Sequence, residues 1–136
     1  MSFVDAYSGY NQIRIHPNDE EKTSFITDQG TYCHKVMPFG LKNARATYQR
    51  LVNHMFRSLI GRSIEVYVDD LLFKSKEDTD HLTHFAKAFH ILKRYQMKLN
   101  PVKSAFGVSS GKFLGHLISR RGIEANPEKI QAIINM

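Results

Sequence analysis

Tryptophan is absent from this 136-residue chain, cysteine occurs once, at Cys33, and proline only four times. A single cysteine excludes an internal disulfide and any zinc site built on paired cysteines. No tract rich in proline, glycine or serine marks a linker, and no repeat or low-complexity segment is visible. No apolar run approaches the roughly 18 residues of a membrane-spanning helix. The N-terminus lacks the basic-then-apolar pattern of a secretory signal peptide. These absences lead to the expectation of an intracellular protein without a membrane partner, in a cytoplasmic particle or the nucleus. The seven histidines form no metal motif. His81 and His84 share a helix face, but two ligands without a third read as solvated surface.

What is present describes one folded unit. Hydrophobic residues make up 42% and charged residues 24%, which separates the chain from disordered ones, and its length suffices to bury a core. Nineteen Lys and Arg against thirteen Asp and Glu leave a formal charge of +6. With the positive residues spread along the whole length, an anionic partner is implied, nucleic acid first.

Period and punctuation give the elements. Phe3 to Asp5 reads as a strand running into a turn at Ser8-Gly9. Residues 23–27 and 31–36 are β-prone and separated by Asp28-Gln29-Gly30, a three-residue hairpin connection. Pro38-Phe39-Gly40 then breaks the chain. Over 43–60, Tyr48, Leu51, Val52, Met55, Phe56 and Leu59 recur at helical spacing. A second helix is predicted over 79–97, capped by Asp78 or Thr79, with Leu82, Phe85, Phe89 and Leu92 as its buried stripe. Asn100-Pro101 reads as its stop, 112–118 as a strand, Arg121-Gly122 as a turn, and Asn126-Pro127-Glu128 as a capped helix start. Leaving out the hairpin, the order is strand, helix, strand, strand, helix, strand. The fold class is therefore α+β, a ferredoxin-like sheet with an inserted β-hairpin.

Between these elements stands Tyr67-Val68-Asp69-Asp70. Short apolar runs on both sides, Ile64 to Val68 and Leu71 to Phe73, read as strands, with the two carboxylates at the tight turn of a hairpin. Asp is a common turn residue, so the pair alone carries little. A third carboxylate, Asp5, ends the first strand. In the predicted topology that strand end lies at the same sheet edge as the hairpin turn, so the three acids meet. Clustered carboxylates are a hard-oxygen site suited to magnesium and to chemistry on phosphates.

Four segments, in order, resemble the successive motifs of reverse transcriptases: Phe3-Val4-Asp5-Ala6-Tyr7-Ser8-Gly9-Tyr10, Pro38-Phe39-Gly40-Leu41-Lys42-Asn43-Ala44, Tyr67-Val68-Asp69-Asp70, and Phe113-Leu114-Gly115-His116. The resemblance is to the polymerase of gypsy-type LTR retrotransposons, particularly plant ones, and covers essentially the whole chain. It implies a polymerase palm with part of the fingers, and RNA-directed DNA synthesis by two-metal nucleotidyl transfer onto a primer 3′-hydroxyl. It also implies that Asp5 and Asp69 hold Mg²⁺ (Mn²⁺ as substitute), with Asp70 less directly and the Ala6 carbonyl as a further ligand. By the same resemblance Tyr10 would exclude a 2′-hydroxyl, Phe39 and Gly40 would line the nucleotide pocket, and Lys42 would contact phosphate or template. Tyr67 and Val68 would face the primer terminus, Phe113, Leu114 and Gly115 would grip the primer, and Lys103 is a candidate general acid for pyrophosphate. Partners would be an RNA or DNA template with its primer and deoxynucleoside triphosphates, normally within a larger polyprotein.

Two departures from the family pattern matter. Arg45 stands where relatives usually carry a small residue or proline, and a cation at the positive end of a helix is expected to be a damaging replacement. The resemblance also leads to the expectation that residues 1–136 are a partial domain, with upstream fingers, thumb and RNase H absent. The alternative reading is an inactive or domesticated retroelement fragment that keeps only nucleic-acid binding.

Overall fold

The computed structural model describes residues 1–135, Asp78 by its backbone alone. Strand β1 (Ser2–Ala6) is buried except at Asp5. Two 3-10 turns, Gly9–Gln12 and Pro17–Thr23, lead to an exposed hairpin of β2 (Phe25–Thr27) and β3 (Gly30–Tyr32). Helix α1 (Ala44–Met55), strands β4 (Ile64–Tyr67) and β5 (Asp70–Phe73), helix α2 (Asp78–Arg94) and strand β6 (Leu99–Ala105) follow. Beyond them lie β7 (Ser110–Phe113), β8 (His116–Ser119), β9 (Gly122–Ala125) and α3 (Pro127–Ile134).

Four strands pair antiparallel in the order β4-β5-β1-β6. With α1 and α2 as the connecting helices, this is the expected ferredoxin-like arrangement. Its last strand is not where the sequence places it. Asn100 and Pro101 belong to β6 rather than to a stop. Proline cannot donate to a ladder, but β6 is a sheet edge bonded only to β1, so the missing N–H is tolerated. Residues 112–118 are not one strand: β7 and β8 fold back across Leu114 and Gly115, whose φ values of 52° and 77° suit a two-residue hairpin turn. Together with β9 they form a separate three-stranded sheet.

Alternation along β1 divides two packed faces. Val4 and Ala6, with Leu71 and Phe73 of β5, join Tyr48, Val52 and Phe56 from α1 and its C-terminal turn, and Ala88 and Leu92 of α2, in one core. Burying each of the larger side chains contributes on the order of 2 kcal/mol, which makes the sheet and its two helices one rigid platform. Phe3 and Leu72 point the other way and are buried too. The Phe3 ring lies so close to Gly111 of β7 that a Cβ there would overlap it.

Four local expectations are corrected. Helix α1 stops at Met55, with turns continuing over 56–60. Helix α2 starts at Asp78, so Thr79 lies inside it, and Glu77 precedes it without a side-chain cap bond. On α2 the buried residues are Ala88 and Leu92, with Phe85 half-buried beside them, while Leu82 is 77% and Phe89 39% exposed. Phe89 still meets the Phe85 ring, centroids 4.6 Å apart, at the edge of the stripe. Nor are the α2 histidines simply solvated. His81 Nε2 lies 2.8 Å from the hydroxyl of buried Ser2, and Nδ1 of His81 and His84 lie 3.3 and 2.9 Å from Ser75 Oγ.

Candidate active site

The pairing of β1 with β5 sets Asp5 opposite Asp70. Directly opposed residues share a face, and alternation makes it the face turned away from α1 and α2. The hairpin turn itself is Val68-Asp69, with Tyr67 and Asp70 as its closing pair. Asp70 is thus the first residue of β5, not half of the turn as expected. Val68 takes φ 51°, a region that β-branched residues avoid on steric grounds. The Ala6 N–H donates to the Asp69 carbonyl at 3.0 Å, so the turn is tied to the end of the strand that carries Asp5.

Asp69 has a distinct socket. Its Oδ1 is buried with no hydrogen-bond partner among the described residues. A Cβ on Gly9 would overlap that oxygen and stand 2.8 Å from two carbons of the Tyr48 ring. Burial raises the Asp69 pKa, the charges of Asp5 and Asp70 raise it further, and the Tyr48 hydroxyl and Lys103 pull the other way. Asp70, although largely exposed, is raised first by partial desolvation and then by Asp5, with Lys103 again opposing. Tyr48 titrates above its ordinary range because it is buried and faces the negative charges of Asp69 and Asp5. Among the described residues none of the three acids is in an ion pair. The site therefore holds mutually repelling negative charge, offset only by Lys103 acting without a direct ion pair.

An open groove is lined by Asp5, Tyr10, Arg45, Tyr67, Val68, Asp69 and Asp70. Phe39 does not line it but packs edge-on against Tyr10, ring centroids 5.1 Å apart, and Tyr10 meets Tyr48 in the same manner at 5.6 Å. Gly40 and Lys42 are exposed in the loop before α1. Lys103, on β6, is close enough for its charge to act on Asp69 and Asp70. Phe113, Leu114 and Gly115 form the tip of the β7–β8 turn, outside the groove lining. Arg45 is itself part of the groove lining. Its guanidinium lies over the Tyr67 ring, 4.8 Å from the centroid.

Two residues escaped the sequence reading. Gly9, taken there as plain turn structure, is the spacer that makes room for Asp69; a glycine three residues past a strand end was the available signal. Gln49 hydrogen-bonds the hairpin turn from α1, and nothing in its sequence context announces that.

The donor set is all oxygen, which fits a hard divalent cation, and the unpartnered Asp69 Oδ1 beside two further acids is the electrostatic situation such an ion relieves. The expected tight cluster is looser than the topology suggested. Among the described residues no three His, Cys, Asp or Glu side chains stand together as an ion cage, because Asp69 turns into the Gly9–Tyr48 socket while Asp5 and Asp70 stay on the sheet face. A small divalent cation held by few carboxylates commonly completes its shell with water and phosphate oxygens.

The ferredoxin-like sheet thus brings three acids to one end of a groove that Tyr10 and Tyr67 also line. Residues 1–118 match the family model described as reverse transcriptase (RNA-dependent DNA polymerase). The chain is 37% identical over 130 residues to the retrovirus-related Pol polyprotein from transposon gypsy of Drosophila melanogaster, covering 96% of this chain and 13% of that one. The polyprotein from transposon 297 of the same organism is 37% identical over 132 residues, with 97% and 12% covered. The foamy viral protease-reverse transcriptase in complex with RNA/DNA hybrid superposes with a TM-score of 0.88 at 27% identity, over 98% of this chain and 18% of that one. Its dRH form with double-stranded DNA reaches 0.90 at 27%, over 99% and 24%. The chain belongs to the reverse transcriptase family, within the gypsy-type retrotransposon group. It spans about an eighth of the length of these curated relatives.

Proposed function

We propose that this chain is the palm core, with part of the fingers, of an RNA-directed DNA polymerase that extends a primer 3′-hydroxyl by nucleotidyl transfer. The observation that carries the reading is the meeting of Asp5, Asp69 and Asp70 at one end of the sheet, in the groove that also holds Tyr10 and Tyr67. Mg²⁺, or Mn²⁺ in its place, would be held by Asp5 and Asp69, with Asp70 less directly and the Ala6 carbonyl as a further oxygen. Bound there, divalent cations stabilise the charge that develops on the attacking and leaving oxygens of a phosphoryl transfer.

The chain's own residues supply position. The carboxylates stand on paired strands and a two-residue turn backed by a packed core, so little ordering is left for the moment of reaction. The Tyr10 ring, seated by Phe39 and Tyr48, would lie under the incoming sugar and collide with a 2′-hydroxyl. Phe39 and Gly40 would shape the nucleotide pocket, Lys42 would meet phosphate or template, and Lys103 would protonate the departing pyrophosphate. Tyr67, Val68 and the 113–115 turn would contact primer. The partners are a primed RNA or DNA template and deoxynucleoside triphosphates, within a longer polyprotein like those of the relatives. A charge of +6 suits a polyanionic partner.

The test is extension of a labelled DNA primer on an RNA template, with Mg²⁺ and four deoxynucleotides, in the longer polymerase that carries this segment. Asp69→Asn is expected to lower kcat by about 10³-fold, with primer–template Kd within about twofold, since it removes an interaction used in the transition state. Extension at the parent rate by Asp69→Asn would overturn the assignment.

A further inference from the structure

The β4–β5 hairpin turns on a residue poorly suited to turning. Val68 sits at φ 51°, where its branched Cβ crowds the neighbouring carbonyls. As the first residue of a two-residue turn closed by Tyr67 and Asp70, it also has an N–H with no partner in the ladder. Such a donor, partly shielded from water, needs a bond from elsewhere.

Gln49 of α1 provides it. Its Oε1 accepts from Val68 N–H at 2.7 Å. Its Nε2 donates to the Val66 carbonyl at 3.4 Å and to Asn53 Oδ1 at 2.9 Å. The partners fix the amide's orientation, since one side faces a donor and the other faces two acceptors. The neighbouring residue on the helix, Tyr48, forms part of the socket that receives Asp69. One turn of α1 therefore grips the hairpin twice, at the main chain of residue 68 and beside the carboxylate of residue 69.

We infer that Gln49 is a positioning residue for Asp69, acting through the backbone of Val68 rather than by touching substrate. Without the bond, Val68 is free to relax toward negative φ. That rotation swings the Cα–Cβ bond of the next residue and would draw Asp69 Oδ1 out of its buried place beside Gly9 and Tyr48. A misplacement of about 1 Å in a reacting group can cost as much as 10²-fold in rate. The inference rests on the role proposed above for Asp69.

The test is a double-mutant cycle in the longer polymerase, with Asp69→Asn as control. Gln49→Met keeps side-chain length and removes the amide; Val68→Gly removes the penalty of positive φ. Gln49→Met is expected to lower kcat by about tenfold or more while nucleotide KM and primer–template Kd stay within about twofold. In the Val68→Gly background the same change is expected to cost about threefold or less, because glycine holds the turn unaided. Equal losses in both backgrounds would overturn the inference, as would a Gln49→Met enzyme at the parent rate while Asp69→Asn is dead. An active Asp69→Asn enzyme would instead remove the reading on which the inference rests. If Gln49→Met does not fold, Gln49→Glu decides, since it keeps the acceptor for Val68. A kcat within about threefold of the parent supports the inference, and a loss equal to that of Asp69→Asn overturns it.

Discussion

Gly9 and Asp69, sixty residues apart in the chain, approach so closely that the smallest side chain on Gly9 would occupy the space of Asp69 Oδ1. The tyrosine ring on the other side, Tyr48, is nearly fully buried and cannot retreat. Gly9→Ala must therefore displace the carboxylate or the turn that carries it. Overpacking of this kind costs about 1–3 kcal/mol, a fall in Tm of roughly 3–10 °C. The polymerase rate is expected to fall further than stability explains, which parallel measurement of kcat and Tm would reveal. An unchanged kcat in a folded Gly9→Ala protein would show that the socket does not matter.

Asp69 and Asp70 titrate above the usual carboxylate range, chiefly through burial and then through Asp5. A carboxyl whose folded pKa exceeds its unfolded value binds more protons in the native state. Native stability then rises as pH falls through the folded value and is lost as pH climbs through it. At pH 7 both residues oppose folding of the metal-free chain. Asp69→Asn or Asp70→Asn should raise the metal-free Tm at pH 7, and the gain should shrink as pH falls into the carboxylate range. Added Mn²⁺ should raise the parent Tm more than that of Asp69→Asn. A Tm lowered by both substitutions would contradict this account.

Tyr10 stands in the groove with its ring fixed edge-on between Phe39 and Tyr48. Tyr10→Val shortens the side chain that would meet a 2′-hydroxyl. The ratio of kcat/KM for deoxynucleotide over ribonucleotide is expected to fall at least about tenfold, or about 1.4 kcal/mol of discrimination. A preserved ratio would leave Tyr10 as a packing residue only.

The guanidinium of Arg45 lies over the Tyr67 ring, a contact expected to offset the unfavourable place of a cation at a helix start. A guanidinium over an exposed aromatic face contributes about 0.5–1 kcal/mol, against a few tenths that alanine recovers in helix propensity. Arg45→Ala is expected to lower the urea midpoint slightly in the parent. In a Tyr67→Leu background, where no ring lies beneath it, the same substitution should be neutral or favourable. A stabilised Arg45→Ala protein with Tyr67 intact would restore the view of Arg45 as a defect.

Some of this was legible in the chain itself. The first strand, the two helices and the β4–β5 hairpin are legible in local pattern, the fourth sheet strand is not, and a split β-α-β topology then leaves Asp5 beside the β4–β5 turn whatever the packing details. That is why the three acids could be named before any coordinates. The errors lie where local signals mislead. Asn100-Pro101 carries a strong breaker signal, yet proline is harmless on an edge strand, and whether a strand is central or edge is not written in its own residues. Leu82 looked buried from its spacing, yet it is exposed while Ala88 and Leu92 enter the core.

The amino-acid sequence by itself determined the family, the α+β topology and the identity of the acids, because periodicity, turn chemistry and motif order are properties of neighbours along the chain. Only the tertiary structure decided how those acids are held. The Gly9 spacer, the Tyr48 wall, the Gln49 bond to Val68 and the Arg45 stack on Tyr67 join residues 19 to 60 positions apart. Such contacts depend on ångström-scale distances between packed elements, and no local pattern encodes those.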